Sequence, residues 1–257
     1  MSEWMPTPIW EGQEAFIIGG GTSLRDFDWS LLKGENTIGC NNAFRLGYDI
    51  CKICVFVDRK FIFSGANEKR KGFYDELAKF PGLVVTNDTQ LKTRPEPWIK
   101  WMPRRPKGLH FDALGFNANC GASAINLALL LGSKTVYLLG IDMHLDGQGK
   151  PNWHNHLIDK PSEEVYVRML ASFGHVSRDL RTKFPDCKVF NVNRNSNLQV
   201  FPKLDPDVFW SERRKNGRNY DTTSVGAGQG NGGSIGFVDS PAHTTVEEDS
   251  VFCKVAG

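Results

Sequence analysis

The sequence predicts an α/β fold, a doubly wound and mainly parallel sheet, on three observations. Continuous apolar runs such as Ala15-Phe16-Ile17-Ile18 and Ile53-Cys54-Val55-Phe56-Val57 read as strands covered on both faces, as parallel strands are. Helix-like spacing over 68–80, 121–131 and 163–184 alternates with such runs at the pitch of βαβ units. Polar or glycine residues stand directly after the strands, where an open parallel sheet places its ligands.

Taken in order, the first strand ends in Gly19-Gly20-Gly21-Thr22-Ser23, a turn that needs close backbone approach or positive φ. A helix is expected over 24–32, capped by Ser23 or Asp26 and stopped by Gly34. Strands are expected at 36–39, 51–57, 82–85, 134–139 and 187–191. Residues 86–109, rich in Pro, Arg, Lys and Trp, read as an irregular excursion, and 145–161 as a mobile flap leaving the Gly140-Ile141-Asp142 strand end. The Gly-rich stretch 224–236 and its polar surroundings divide the chain into a domain at 1–205 and a flexible tail at 206–257.

Composition narrows the function classes. Of 257 residues, 40% are hydrophobic and 23% charged, as in an ordinary globular protein. The 31 basic and 29 acidic side chains balance to +2, which gives no strong nucleic-acid signal. The longest apolar segment is far too short for a membrane span, and the first twelve residues, with Glu3 and Glu11, resemble neither a signal nor a transit peptide. Six scattered cysteines in a chain of this size read as free thiols, so a cytoplasmic location is expected. Cys51 and Cys54 are expected on opposite faces of one strand, as core thiols and not a redox pair.

The candidate site residues follow from these positions. A Gly-rich turn opening a helix offers backbone N–H groups to an anion, although it serves equally as a tight turn. It is neither a P-loop nor G-x-G-x-x-G, since no Gly-Lys-Ser/Thr follows and Leu24 holds the third glycine's place. Asn41 and Asn42 suit contacts to a base, ribose or phosphate, or an Asx turn. Asp58 suits a metal or a hydroxyl, or a pairing with Arg59 or Lys60. His144, His154 and His156 lie beside Asp142 and Asp146, open to acid–base work, to a divalent metal, or to a surface role. Trp98, Trp101, Arg104, Arg105 and Lys107 read as a stacking surface or, preferably, a loop anchored by two tryptophans.

The series Phe16 to Leu24, Gly39-Cys40-Asn41-Asn42-Ala43-Phe44, Val55-Phe56-Val57-Asp58, Asn119-Cys120-Gly121-Ala122 and Val136 to Asp142 resembles, in order, two related groups. One is the bacterial lipooligosaccharide sialyltransferases; the other is similar to archaeal hydroxymethyldihydropterin diphosphokinases. The resemblance covers most of residues 15–204, and the compact length is similar to phage-encoded versions, which would place the protein in a host cytoplasm. It implies a Rossmann-like sheet and a nucleotide or nucleotide-sugar ligand. In the sialyltransferases three asparagines contact the CMP donor, and their places here look like Gly20, Asn41 and Asp58. Cys120-Gly121 would line the nucleotide, the loop after Gly140, with Asp142 and His144, would face the base, and His156 or His154 in the flap would be the general base on an acceptor hydroxyl. An aspartate in place of an amide resembles the diphosphokinase pattern, in which Mg²⁺ with ATP would sit at Asp58 and possible partner Asp142. Three expectations result: a nucleotide-dependent, glycosyltransferase-like transferase, a metal-dependent diphosphoryl transferase, and a non-catalytic nucleotide- or partner-binding domain.

Overall fold

A computed structural model of the protein describes residues 3–58, 61, 72–93, 96–154 and 161–216. Seven strands form one sheet in the order β5-β4-β3-β2-β1-β8-β9: β1 (Glu14–Ile18), β2 (Thr37–Cys40), β3 (Ile53–Phe56), β4 (Leu83–Thr86), β5 (Ile99–Trp101), β8 (Thr135–Leu139) and β9 (Lys188–Asn191). Every pairing between them is parallel. Two further short strands, β6 (Arg104–Arg105) and β7 (Leu114–Gly115), pair in a separate parallel ribbon. The main strands read as continuous apolar runs because both faces are covered: Phe16, Ile17 and Ile18 are all fully buried, on alternating sides.

From β1 the chain works outward through β2 to β5, then returns to the other side of β1 to lay down β8 and β9. The loops after β1 and β8 therefore leave the same sheet edge side by side, at the switch point where open α/β sheets bind ligands. The described helices are α1 (Phe73–Ala78), α2 (Thr89–Thr93), α3 (Cys120–Leu130), α4 (Glu163–Lys183) and α5 (Pro206–Lys215). Helix α3 is buried from Gly121 to Leu129, which explains its small side chains. Its fully buried Asn126 accepts from the His110 and Gly115 N–H groups and donates to His110 O, tying down the 108–116 loop. Helix α4 buries Phe173, Val176 and Leu180, one stripe at helical spacing.

Four expectations need correction. Residues 24–32 form no α-helix but two 3₁₀ turns, Thr22–Leu24 and Trp29–Leu32, because the extended Asp28 breaks the run and caps the second turn through Ser30 N. The 86–109 excursion contains α2 and β5, and Trp101 is buried with its Nε1 donating to Asp88 O, as an anchor. Strand β3 begins only at Ile53, so Cys51 and Cys54 share one core cluster rather than facing opposite ways. They are core thiols all the same: burial pushes Cys51 up to about 12 and raises Cys54 as well.

The fourth concerns the domain boundary, expected at 205. Pro206–Lys215 is helix α5, capped by Asp205, with Phe209 and Trp210 buried against Phe16 and Tyr137. Its buried Arg213 reaches Glu14 at 2.7 Å and Glu35 at 2.8 Å. The rest of the expected tail, 217–257, lies outside the described residues.

Candidate active site

A cavity of about 490 Å³ opens at the switch point. It is lined by Gly19, Gly20 and Gly21 after β1, by Cys40, Asn41 and Asn42 at the end of β2, and by Val57 and Asp58 after β3. Asn119, Cys120 and Gly121 at the start of α3, Gly140, Asp142, Met143 and His144 after β8, His154, and Tyr166 of α4 also line it. Of the residues singled out in the sequence, Gly19, Gly20, Gly21, Asn41, Asn42, Asp58, Cys120, Gly121, Gly140, Asp142, His144 and His154 thus come to one space. Thr22 and Ser23 do not: they border a second cavity, with Arg25 and Trp210. His156 lies outside the described residues.

The Gly-rich turn is shaped by protein neighbours. A Cβ at Gly19 would overlap Gly140 O and the Ile141 side chain, one at Gly20 the Asn152 amide, and one at Gly21 the Asp142 carboxylate. Gly21 has φ −60°, which any residue adopts, so space and not conformation demands glycine there. Gly19 N donates to Leu139 O, Gly21 N to Gly140 O, and Ser23 N to Asp142 Oδ2 at 2.8 Å. Asp142 Oδ1 accepts from Ser23 Oγ at 2.6 Å and from Asn193 Nδ2 at 2.8 Å. The anion at this turn is therefore the protein's own carboxylate, only 2% exposed. Ser23 and the Asp142 carboxylate, both expected near a ligand, bind each other here.

The segment reaching Trp153 is fastened to the same turn. Trp153 donates its backbone N–H to Gly20 O at 2.9 Å and its Nε1 to Gly19 O at 3.0 Å. The Arg25 guanidinium, at 2.5 Å, is the main reason Asp146 is held down at about 2. Asn42, expected to touch a ligand, lines the cavity and places its Nδ2 3.3 Å from His154 Nε2 and 3.5 Å from Nδ1.

The groups presented to the cavity are mostly neutral. Asn41 sits at φ 53°, and its side chain makes no hydrogen bond among the described residues. Asn119 caps α3, its Oδ1 accepting from Gly121 N and Ala122 N, while its buried Nδ2 has no partner among the described residues. Burial, and then the Asp142 charge, raises Tyr166 above its ordinary value, so at neutral pH its hydroxyl keeps its proton. Asn119 and Tyr166 were not picked out as site residues in the sequence; the Asn before a small-residue helix was a readable capping signal, whereas Tyr166 gave none. Cys120 donates its thiol to Val55 O at 3.0 Å and holds α3 to β3. Asp142 is engaged by Ser23 and Asn193, and among the described residues no three His, Cys, Asp or Glu side chains gather to hold a metal ion.

Among solved structures, the chain is similar to the sialyltransferase CstII from Campylobacter jejuni in complex with cytidine-5'-monophosphate, at 18% identity and TM-score 0.46, over 77% of this chain and 87% of that one. It is similar to the same enzyme with CMP-3FNeuAc, at 16% and 0.44, over 76% and 87%. A third is the monofunctional alpha-2,3-sialyltransferase Cst-I from Campylobacter jejuni, at 16% and 0.46, over 79% and 83%. No family model matches the chain, and no curated protein does.

Proposed function

We propose that the protein is a glycosyltransferase-like enzyme whose switch-point cavity takes a nucleotide-sugar donor with a single phosphate, of the CMP-sugar kind. The observation that carries this reading is the unpartnered, buried Asn119 Nδ2 at the N-terminus of α3, in the same lining as the Asn41 amide and the Tyr166 hydroxyl. A buried donor without an acceptor costs about 1–3 kcal/mol, which a phosphate oxygen at this helix terminus would recover. Neutral donors suit a phosphodiester carrying one charge, and developing negative charge on a departing phosphate strengthens such bonds in the transition state. Val57, Phe61, Met143 and Met169 give the cavity an apolar wall for the base or sugar, and its volume is in the range of small-molecule sites. The resemblance in sequence points to the same donor, with Asn41 retained and Gly20 and Asp58 differing.

A thermal-shift panel tests the reading. At 100 times Kd a ligand stabilises by about 2.7 kcal/mol, or roughly 5–10 °C for a domain of this size. CMP and CMP-N-acetylneuraminate should give such a shift without added metal, whereas UDP, GDP and ATP should not. A shift with ATP alone, and only with Mg²⁺, would instead support diphosphoryl transfer.

A further inference from the structure

We infer that His144, in the loop directly after β8, is the proton acceptor of this cavity. The inference deepens the nucleotide-sugar reading and rests on it. His144 Nδ1 lies 2.8 Å from Leu145 O. A carbonyl oxygen only accepts, so Nδ1 must carry the proton, and a neutral ring then has its lone pair on Nε2. Nε2 has no hydrogen-bond partner among the described residues, and the side chain lines the cavity. The position is also rigid. Asn197 N donates to Asp142 O at 2.8 Å, Ser196 Oγ to Ile141 O at 2.6 Å, and the preceding Met143 is held at φ 59°, a conformation a methionine rarely adopts.

His154 is differently placed. The Asn42 amide nitrogen, which only donates, lies 3.3 Å from its Nε2 and 3.5 Å from its Nδ1. A neutral imidazole has one lone pair, and here Asn42 engages it. His154 is thereby fixed as part of the Trp153 anchor, with the two rings edge-to-face at 4.9 Å.

In the reaction, the acceptor hydroxyl gives its proton to His144 Nε2 while its oxygen bonds to the anomeric carbon of the sugar. The bond from that carbon to the phosphate oxygen breaks, and its electron pair leaves with the nucleoside monophosphate. The imidazolium then returns the proton to water. With water as acceptor the products are the free sugar and the nucleotide.

The test has a spectroscopic arm and a kinetic one. In ¹⁵N-histidine-labelled protein, the resonance pair lost in His144→Asn should show a protonated Nδ1 and a bare Nε2. A protonated Nε2 overturns the inference, whether or not any nucleotide binds. CMP release from CMP-N-acetylneuraminate should fall by about 10²–10⁴-fold in His144→Ala and in His144→Asn, the latter keeping a donor near Leu145 O. CMP affinity should stay within about threefold, and free imidazole should restore part of the rate to His144→Ala. His175→Gln, at the exposed His175–Arg178 pair of α4, should retain full activity. Undiminished turnover in His144→Asn, a loss not rescued by imidazole, or abolition in His156→Gln would overturn the assignment. A wild-type protein that binds no CMP refutes the donor reading instead, leaving the spectroscopic arm to decide the state of His144.

Discussion

At the scale of single residues, the Gly-rich turn shows how one pattern serves two purposes. Glycines after a strand signal close approach, and a sequence cannot say what approaches; here it is Asp142, Asn152 and the Gly140 backbone. Gly21→Ala should therefore cost about 1–3 kcal/mol in urea unfolding, because the carboxylate must move away from Ser23 to admit a methyl group. An unchanged unfolding midpoint would mean the two loops are not in contact. The neighbouring Arg25 and Asp146 pair gives a pH dependence. Its folded pKa of about 2 is below the value near 4 of a free carboxylate, so the stability it contributes is present above about pH 4 and is lost as the pH falls through about 2. The stability difference between wild type and Arg25→Gln should shrink as the pH is lowered from 5 toward 2; a constant difference would assign it to packing.

At the scale of elements, most strands of the main sheet were legible as short, largely apolar runs that a doubly covered sheet accommodates, whereas β5, Ile99–Trp101 with Lys100 at its centre, was hidden in a Pro- and Arg-rich stretch. The 24–32 segment reads as a helix because Leu24, Leu31 and Leu32 fall at helical spacing, but the Asp28 side chain takes Ser30 N and breaks the run into two 3₁₀ turns. Helix α5 had its own signature in Asp205-Pro206, a cap and a first-turn proline, followed by Phe209, Trp210 and a basic last turn. The Gly-rich stretch beyond it drew the boundary too early. Because Arg213 holds two carboxylates from a buried position, Arg213→Ala should destabilise by about 3–5 kcal/mol, read as a lowered urea midpoint at unchanged slope. A loss under about 1 kcal/mol would show that α5 is held by its aromatic face alone.

At the scale of the whole molecule, the return of the chain from β5 to β8 is what brings the ends of β1, β2, β3 and β8 and the start of α3 to a common cavity. That convergence was readable as a rule about strand ends, and twelve of the residues it singled out do line the space. Which of them stay open to the cavity and which face each other was not readable, since Ser23, Asn42 and Asp142 find partners more than a hundred residues away. The most direct measurement is calorimetric titration of CMP into wild type and Asn119→Asp. Aspartate caps α3 as asparagine does but replaces the Nδ2 donor with a charged oxygen. Loss of a hydrogen bond to a charged group, about 1.5–3 kcal/mol, with carboxylate–phosphate repulsion added, predicts CMP affinity at least roughly 10-fold weaker in a variant that still unfolds cooperatively. Equal affinity in the two proteins would contradict a phosphate at the start of α3.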